Sequence, residues 1–399
     1  MEMADRAGVY VNQLSGELRF RAFVPKPLPP NPPVTMDMEL WQSLSDADRA
    51  LGRLDGVTEV LPNPDMFVAM YVRKEAVLSS QIEGTQASLV DILEYETEKA
   101  ARGLPSDVAE VVNYVDALNH GLSRLSELHL SLRLIREIHA RLLQDVRGGE
   151  RYPGEFRKTQ NWIGPEGSGL SQATFVPPPP NEMTAAMAGL EDFLHDPSPM
   201  PALLKMGLAH AQFETIHPFL DGNGRIGRLL ITFLLCQSGI LRKPLLYLSY
   251  YFKLNRREYY DRLMSVRTKG DWEGWLKFFL KGVHTVSHQA TDTARTIIAM
   301  REEHRQIVRT KVRGVLNGLA LLDRLYDRPM VTVKIAQQML GISPVAANTL
   351  IANFERAGLL HQISTGARNR LFAYAPYLDI FLDDASPQVL LPPTETTGN

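Results

Sequence analysis

One cysteine, Cys236, stands alone in 399 residues. No internal disulfide framework can be built from it. Its place in an apolar stretch predicts a buried thiol, as expected of a reducing, cytoplasmic setting. Charge of one sign is also lacking. Lys and Arg number 43 against 45 Asp and Glu, a formal net charge of −2. A general polyanion binder and an acidic tail protein are both excluded, and any nucleic-acid contact needs a local patch. Long hydrophobic runs are missing as well, because even Leu229 to Ile240 is broken by Thr232, Gln237 and Ser238. Met1 to Phe20 carries acids and no apolar segment of the secretory kind. No internal repeat is evident. What remains is a chain predicted to be soluble, with no membrane contact, whose 44% hydrophobic content fills the cores of two or three domains.

The most informative stretch present runs from His217 to Arg228: His-Pro-Phe-Leu-Asp-Gly-Asn-Gly-Arg-Ile-Gly-Arg. The apolar run from Leu229 to Cys236 predicts a buried helix directly behind it. Glycine-flanked backbone at a helix start exposes N–H groups, and the helix dipole adds roughly half a positive charge there. Arg225 and Arg228, at i and i+3, project from one face over that end. The stretch Asp221, Gly222, Asn223, Gly224, Arg225, Ile226, Gly227 and Arg228 is thus suited to a polyphosphate. Asp221 is placed for a magnesium ion and His217 for a base, since a free imidazole, titrating near ~6.5, can accept a hydroxyl proton. Blander roles compete: a loop histidine without duty, Asp221 as a helix cap, two solvated arginines. Phe219 is read as a core residue. Gly222, Gly224 and Gly227 also spell the dinucleotide-binding Gly-x-Gly-x-x-Gly. That motif needs a strand before it and an acid about twenty residues after it. Ala202 to Ile216 has helical spacing instead, and Ile240 to Leu248 has no acid.

Around this stretch the chain reads as mainly α. Prolines between Phe23 and Val34 predict an extended surface arm. Helical patterns cover Leu40 to Lys99, Asp107 to Glu127 and Leu130 to Asp145. Gly148 to Asn181 is rich in Gly and Pro, with a β-type piece at Gln172 to Val176 stopped by Pro177 to Pro180. Helical spacing returns from Met183 to about Arg313. Beyond Val315, Thr332 caps a helix over Val333 to Leu340, and Gly341 turns the chain. Ser343-Pro344 then opens a helix to about Ala357, closed by Gly358. Two β-like segments follow, His361 to Ser364 and Arg370 to Tyr374. This order predicts a winged helix-turn-helix. The expected division is 1–110, 111–300, 301–385 and a flexible tail, 386–399. Asn348, Asn353, Arg356, Arg368 and Arg370 are the module's candidates for DNA, though its second helix is not notably basic.

Position for position, His217 to Arg228 resembles the signature of the Fic family, His-Pro-Phe-x-(Asp/Glu)-Gly-Asn-Gly-Arg-x-x-Arg. The resemblance implies a Fic-type helical core with a short β-hairpin flap, and transfer of AMP from ATP to a Ser, Thr or Tyr hydroxyl of a target protein or of the chain itself. His217 is then the base and Asp221 the Mg²⁺ ligand, the glycines and Asn223 offer backbone N–H groups, and both arginines neutralise the phosphates. Ala173, Thr174, Phe175 and Val176 resemble the flap that docks the target segment by strand pairing. Tyr259 and Tyr260 resemble the pair beside the adenine. Upstream, Ser79-x-x-x-Glu83-Gly84 resembles the family's inhibitory motif of the N-terminal class, implying that Glu83 pairs with Arg228 and restrains ATP binding. Independently, Gly84 marks a helix end. It leaves Glu83 in a last turn where the dipole disfavours a negative charge by ~0.3 kcal/mol or more, so a cationic partner is expected. Ser79, one turn earlier, is expected to orient Glu83. The same resemblance makes a homodimer plausible. Alternatives are a different nucleotide or phosphate transfer, removal of AMP on the same fold, and a nucleotide-sensing DNA-binding regulator.

Overall fold

The computed structural model describes residues 6–13, 19–60, 64–98, 105–165, 167, 169–364 and 370–382. It opens with a hairpin rather than a plain extended arm. Strand β1 (Gly8–Gln13) pairs antiparallel with β2 (Phe20–Pro25), Tyr10 facing Phe23. Val, Tyr and Phe, which favour strands, are frequent there, and only the prolines after Pro25 run on as an extended, mostly exposed segment.

The single helical stretch expected from Leu40 to Lys99 is three helices: α1 (Met38–Val60), α2 (Pro64–Ile82) and α3 (Leu89–Glu98). Gly84, at φ 102°, supplies the left-handed turn that ends α2. Glu83 lies one residue past the helix rather than inside its last turn. Next come α4 (Ser106–Leu125) and α5 (Leu132–Leu142), the latter capped by the Ser131 side chain, then α6 (Pro180–His195), whose first turn uses Pro180.

Helices α7 (Ala202–Ile216) and α8 (Asn223–Gln237) form the centre. From Leu203 to Ile216 nearly every α7 residue is buried, so this helix has no polar face. Around them pack α9 (Ser249–Leu254), α10 (Arg256–Lys269) and the 40-residue α11 (Trp272–Lys311), which α1 flanks. The C-terminal part holds α12 (Val315–Leu325), β3 (Met330–Thr332), α13 (Val333–Leu340), α14 (Pro344–Arg356), β4 (His361–Gln362), β5 (Leu371–Ala373) and α15 (Ala375–Leu378). Its strands are ordered β3-β5-β4, both pairs antiparallel. Thr332 and Ser343 cap α13 and α14 as their spacing predicts. Arg368 and the expected tail, 386–399, lie outside the described residues.

The segment expected to be a β-hairpin flap is not a strand. Leu170–Gln172 is a single 3-10 turn, and Phe175 makes one antiparallel bridge to Ile163. Glycines before it and four prolines after it stop the ladder from growing.

Candidate active site

α7 ends at His217, whose φ of 50° is left-handed, an uncommon state for a residue with a side chain. Several buried groups enforce it. Asn161 Nδ2 donates to the carbonyls of His217 (3.2 Å) and Phe219 (2.9 Å). Arg157 Nε donates to the His217 carbonyl at 3.0 Å. Asn223 closes the loop on itself, its Oδ1 accepting from Phe219 N and its Nδ2 donating to Phe219 O, both at 2.8 Å. Phe219 is fully buried, as expected, and stacks on His139 with ring centroids 3.7 Å apart. His139 Nδ1 accepts from Gly154 N, so Nε2 carries the proton and donates to the Asp221 carbonyl at 3.0 Å. Burial pushes His139 down to about 4, which keeps it neutral.

The turn into α8 is made by Gly222 at φ 76°. Gly224 follows in the first turn, and a methyl group there would fall 2.2 Å from Glu83 Oε1. The Glu83 carboxylate therefore lies directly on the backbone at the start of α8, where the cradle for an anion was expected. It is fastened there by Arg228, whose Nη2 donates to Glu83 Oε1 at 2.7 Å. Burial works against the Glu83 charge, but Arg228 overcomes this and holds the carboxyl below its ordinary range. Ser79 does not orient Glu83. Its hydroxyl accepts from Arg228 Nε at 2.8 Å and its carbonyl from Nη2 at 2.9 Å. A guanidinium presents donors in a fixed fork, so a serine one turn before the helix end meets the arginine first.

Arg225 takes a different partner. Its Nη1 lies 3.4 Å from Glu110 Oε2, its Nη2 3.5 Å from Asp221 Oδ1, and its buried Nε has no hydrogen-bond partner. Asp221 is partly exposed, accepts from Gly222 N at 2.6 Å and has Arg151 3.6 Å away. Ile226 is buried under the helix, and a methyl on Gly227 would fall 2.2 Å from Glu214 Oε1. His217 is half-buried, its Nδ1 enclosed without a partner. Desolvation, then the positive charges of Arg267 and Arg157, push its imidazole down to about 3.

The two tyrosines separate. Tyr259 is buried, stacks on Phe252 at 4.5 Å and bonds His210 Nε2 through its hydroxyl at 2.9 Å, so it is core rather than a base platform. Tyr260 alone is exposed. In the flap segment, Ala173 is half-buried and Thr174 exposed, while Phe175 and Val176 are buried. The edge is also partly taken: Thr174 N and Phe175 N both donate to Ile163 O, and Val176 O accepts from Phe23 N.

Sequence reasoning missed Glu75, Glu110, Glu214, His139, Arg157, Asn161 and Arg267, all buried around the loop. They come from helices and loops far apart in the chain, and no local spacing marks them. Burial pushes both Glu75 and Glu214 up to about 7. Glu75 accepts from Ser249 N and Oγ and from the Tyr114 hydroxyl.

Taken together, the site is that of a mainly helical protein with a histidine on a strained turn and an anion cradle at a helix start, filled by the protein's own carboxylate. The model described as Fic/DOC family N-terminal matches residues 41–123, and that of the Fic/DOC family matches 129–235. The chain thus carries a Fic/DOC N-terminal domain and a Fic domain. It is 31% identical over 204 residues to a protein adenylyltransferase Fic of Culex quinquefasciatus, covering 49% of this chain and 37% of that protein. It is 29% identical over 181 residues to a probable protein adenylyltransferase of Aquifex aeolicus, covering 44% and 51%. The chain thus spans about a third to a half of the length of these relatives. A Fic family protein from Desulfovibrio desulfuricans G20 shares the fold, with a TM-score of 0.54 and 19% identity over 86% of this chain and 97% of that one. Among the described residues, no helix is long and apolar enough to cross a membrane, and no group of three His, Cys, Asp or Glu could hold a metal ion.

Proposed function

We propose that this protein is an adenylyltransferase that moves AMP from ATP onto a protein hydroxyl, and that Glu83 restrains it. One observation carries the reading: a carboxylate sits on Gly224 at the start of α8, bonded to Arg228, where a phosphate would bind. A carboxylate is a fair stand-in for a phosphate oxygen, since both accept from backbone N–H groups and guanidinium forks. With Glu83 in place the terminal phosphate has no seat. With Glu83 displaced, Arg228 is already oriented by Ser79 and can take that phosphate.

In the transfer, the target hydroxyl oxygen bonds to the α-phosphorus and the bond to the bridging oxygen of pyrophosphate breaks. The hydroxyl proton passes to the His217 imidazole, which is neutral in the free protein. Arg225 and Arg228 offset the charge on the leaving pyrophosphate, and the α8 amide groups hold it in line. Asp221 fits a magnesium ion, because a partly exposed single carboxylate suffices when phosphates and waters fill the other positions. Bound there, the ion supplies charge neutralisation on the phosphates. Thr174 to Val176, near His217, is the segment against which the target would lie, and Tyr260 is the ring left to contact the base.

The test compares label incorporated from α-labelled ATP by the native and Glu83→Gly proteins, including self-modification. A large rise in Glu83→Gly is expected; equally low incorporation in both would remove the restraint. Running ATP beside UTP, CTP and GTP separates AMP transfer from other nucleotide transfers on the same fold.

A further inference from the structure

Arg157 and Arg267 are both more than nine-tenths buried, and neither makes an ion pair among the described residues. Their acceptors are neutral. Arg157 reaches the carbonyls of Thr159 (3.2 Å), Pro178 (2.5 Å), Ile216 (3.4 Å) and His217 (3.0 Å). Arg267 reaches the Glu214 carbonyl (2.9 Å) and the Thr215 hydroxyl (3.1 Å), with Met264 Sδ at 3.5 Å. Its guanidinium also lies 4.0 Å over the Phe175 ring. Burying a cation without a carboxylate is costly, so two such cations beside one histidine call for an explanation.

Each arginine spans the same two pieces of chain. One end holds either the segment proposed to dock the target, which Arg267 reaches at Phe175, or the prolines directly after it, which Arg157 reaches at Pro178. The other holds the end of α7 or His217 itself. We infer that Arg157 and Arg267 are positioning residues that lock the target-docking segment to the catalytic histidine, setting the distance between incoming hydroxyl and base. This rests on the proposed roles of His217 and of residues 173–176. The same contacts act on the imidazole. The charged groups around it are Arg157 from the loop after α5, Arg267 on α10, Glu214 on α7 and Glu83 after α2. Glu214 is itself pushed towards neutrality, and Glu83 is engaged by Arg228. Burial comes first in keeping the ring in its free-base form, and the two arginines add to it.

The test uses Arg267→Lys, Arg157→Lys and Arg267→Met in the Glu83→Gly protein, reading self-modification, ATP affinity and the His217 titration by histidine NMR. A lysine keeps the charge but cannot fork between two segments. Both lysine variants should lose transfer on the order of 10²-fold, as expected of misplacing reacting groups by about 1 Å. ATP affinity should stay within about threefold and the imidazole should remain neutral at pH 5. Arg267→Met should also move the imidazole part of the way up, since the burial that comes first in depressing it remains. Unchanged transfer in both lysine variants, or a loss that only tracks ATP affinity, overturns the inference. If Glu83→Gly transfers nothing even with both arginines present, the proposed reaction fails. Hydrogen exchange at the Phe175 and His217 amides, bonded to the Ile163 and Phe213 carbonyls, still decides the inference then: faster exchange at both in the lysine variants supports it, and unchanged protection at either contradicts it.

Discussion

The loop between α7 and α8 and the module beyond Val312 treat charge in opposite ways. Where the loop enters α8, Arg225 and Arg228 are buried and meet carboxylates more than a hundred residues away, Glu110 and Glu83. In the module, charged side chains stay near the surface and find local partners. Arg356 bonds Asn353 one turn back, and Arg370 bonds Asn348 across the α14–β5 junction. The module's buried polar contacts are aromatic, with Tyr374 linking His304 of α11 to Tyr326. Long-range buried ion pairs are costly to assemble, and they persist where chemistry needs a fixed charge. Locally satisfied surface charges carry no such implication. Among the described residues, Asn348, Asn353, Arg356 and Arg370, the module's candidates for DNA, are bonded to each other in two pairs.

Substitutions that strike each region differently would break this contrast. The largest effect belongs to His217→Ala in the Glu83→Gly background. Transfer should fall by about 10²–10⁴-fold, the usual contribution of a general base, while ATP affinity is roughly kept. Retained activity would contradict the assigned base. Next is Phe219→Ala, which removes a fully buried ring stacked on His139. A loss of about 3–5 kcal/mol in chemical denaturation is expected, with the strained turn released.

A pH effect of intermediate size follows from Glu75. Its folded-state value is raised to about 7 while the unfolded carboxyl ionises near 4.5. Its neutral burial is therefore most favourable below the unfolded value, and stability is lost as pH rises from there through about 7. Between pH 6 and 8 this amounts to about 1 kcal/mol. Glu75→Gln should flatten that part of the stability profile, although Glu214, raised to about 7 as well, leaves a residual slope. A Glu75→Gln variant with the full native slope would contradict the assignment. The smallest effect is expected from Arg370→Ala, within about 0.5 kcal/mol of native stability and without change in transfer. A large loss of activity there would show that the module takes part in the site.

Much of the candidate site was legible because His217, Asp221, Gly222, Asn223, Gly224, Arg225 and Arg228 are consecutive or one turn apart, so spacing alone brings them to one helix start. The Glu83–Arg228 contact was legible only through the family resemblance, supported by the dipole argument for a cation near Glu83. Tyr259 was misjudged because a tyrosine pair on a helix does not say which ring faces inward; the packing of Phe252 and His210 decides that. The β1–β2 hairpin was hidden behind the prolines that follow it. The isolated Phe175 bridge was overread as a strand because β-type residues were present without room for a ladder. Arg157 and Arg267 could not be found at all, since their meaning lies in which distant carbonyls they touch.

The decisive measurement is a structure of the Glu83→Gly protein with a non-hydrolysable ATP analogue and Mg²⁺. The terminal phosphate should lie within hydrogen-bonding distance of Arg228 over Gly224, with the α-phosphate facing His217. A nucleotide bound elsewhere, leaving Arg228 with Ser79 alone, would contradict the account.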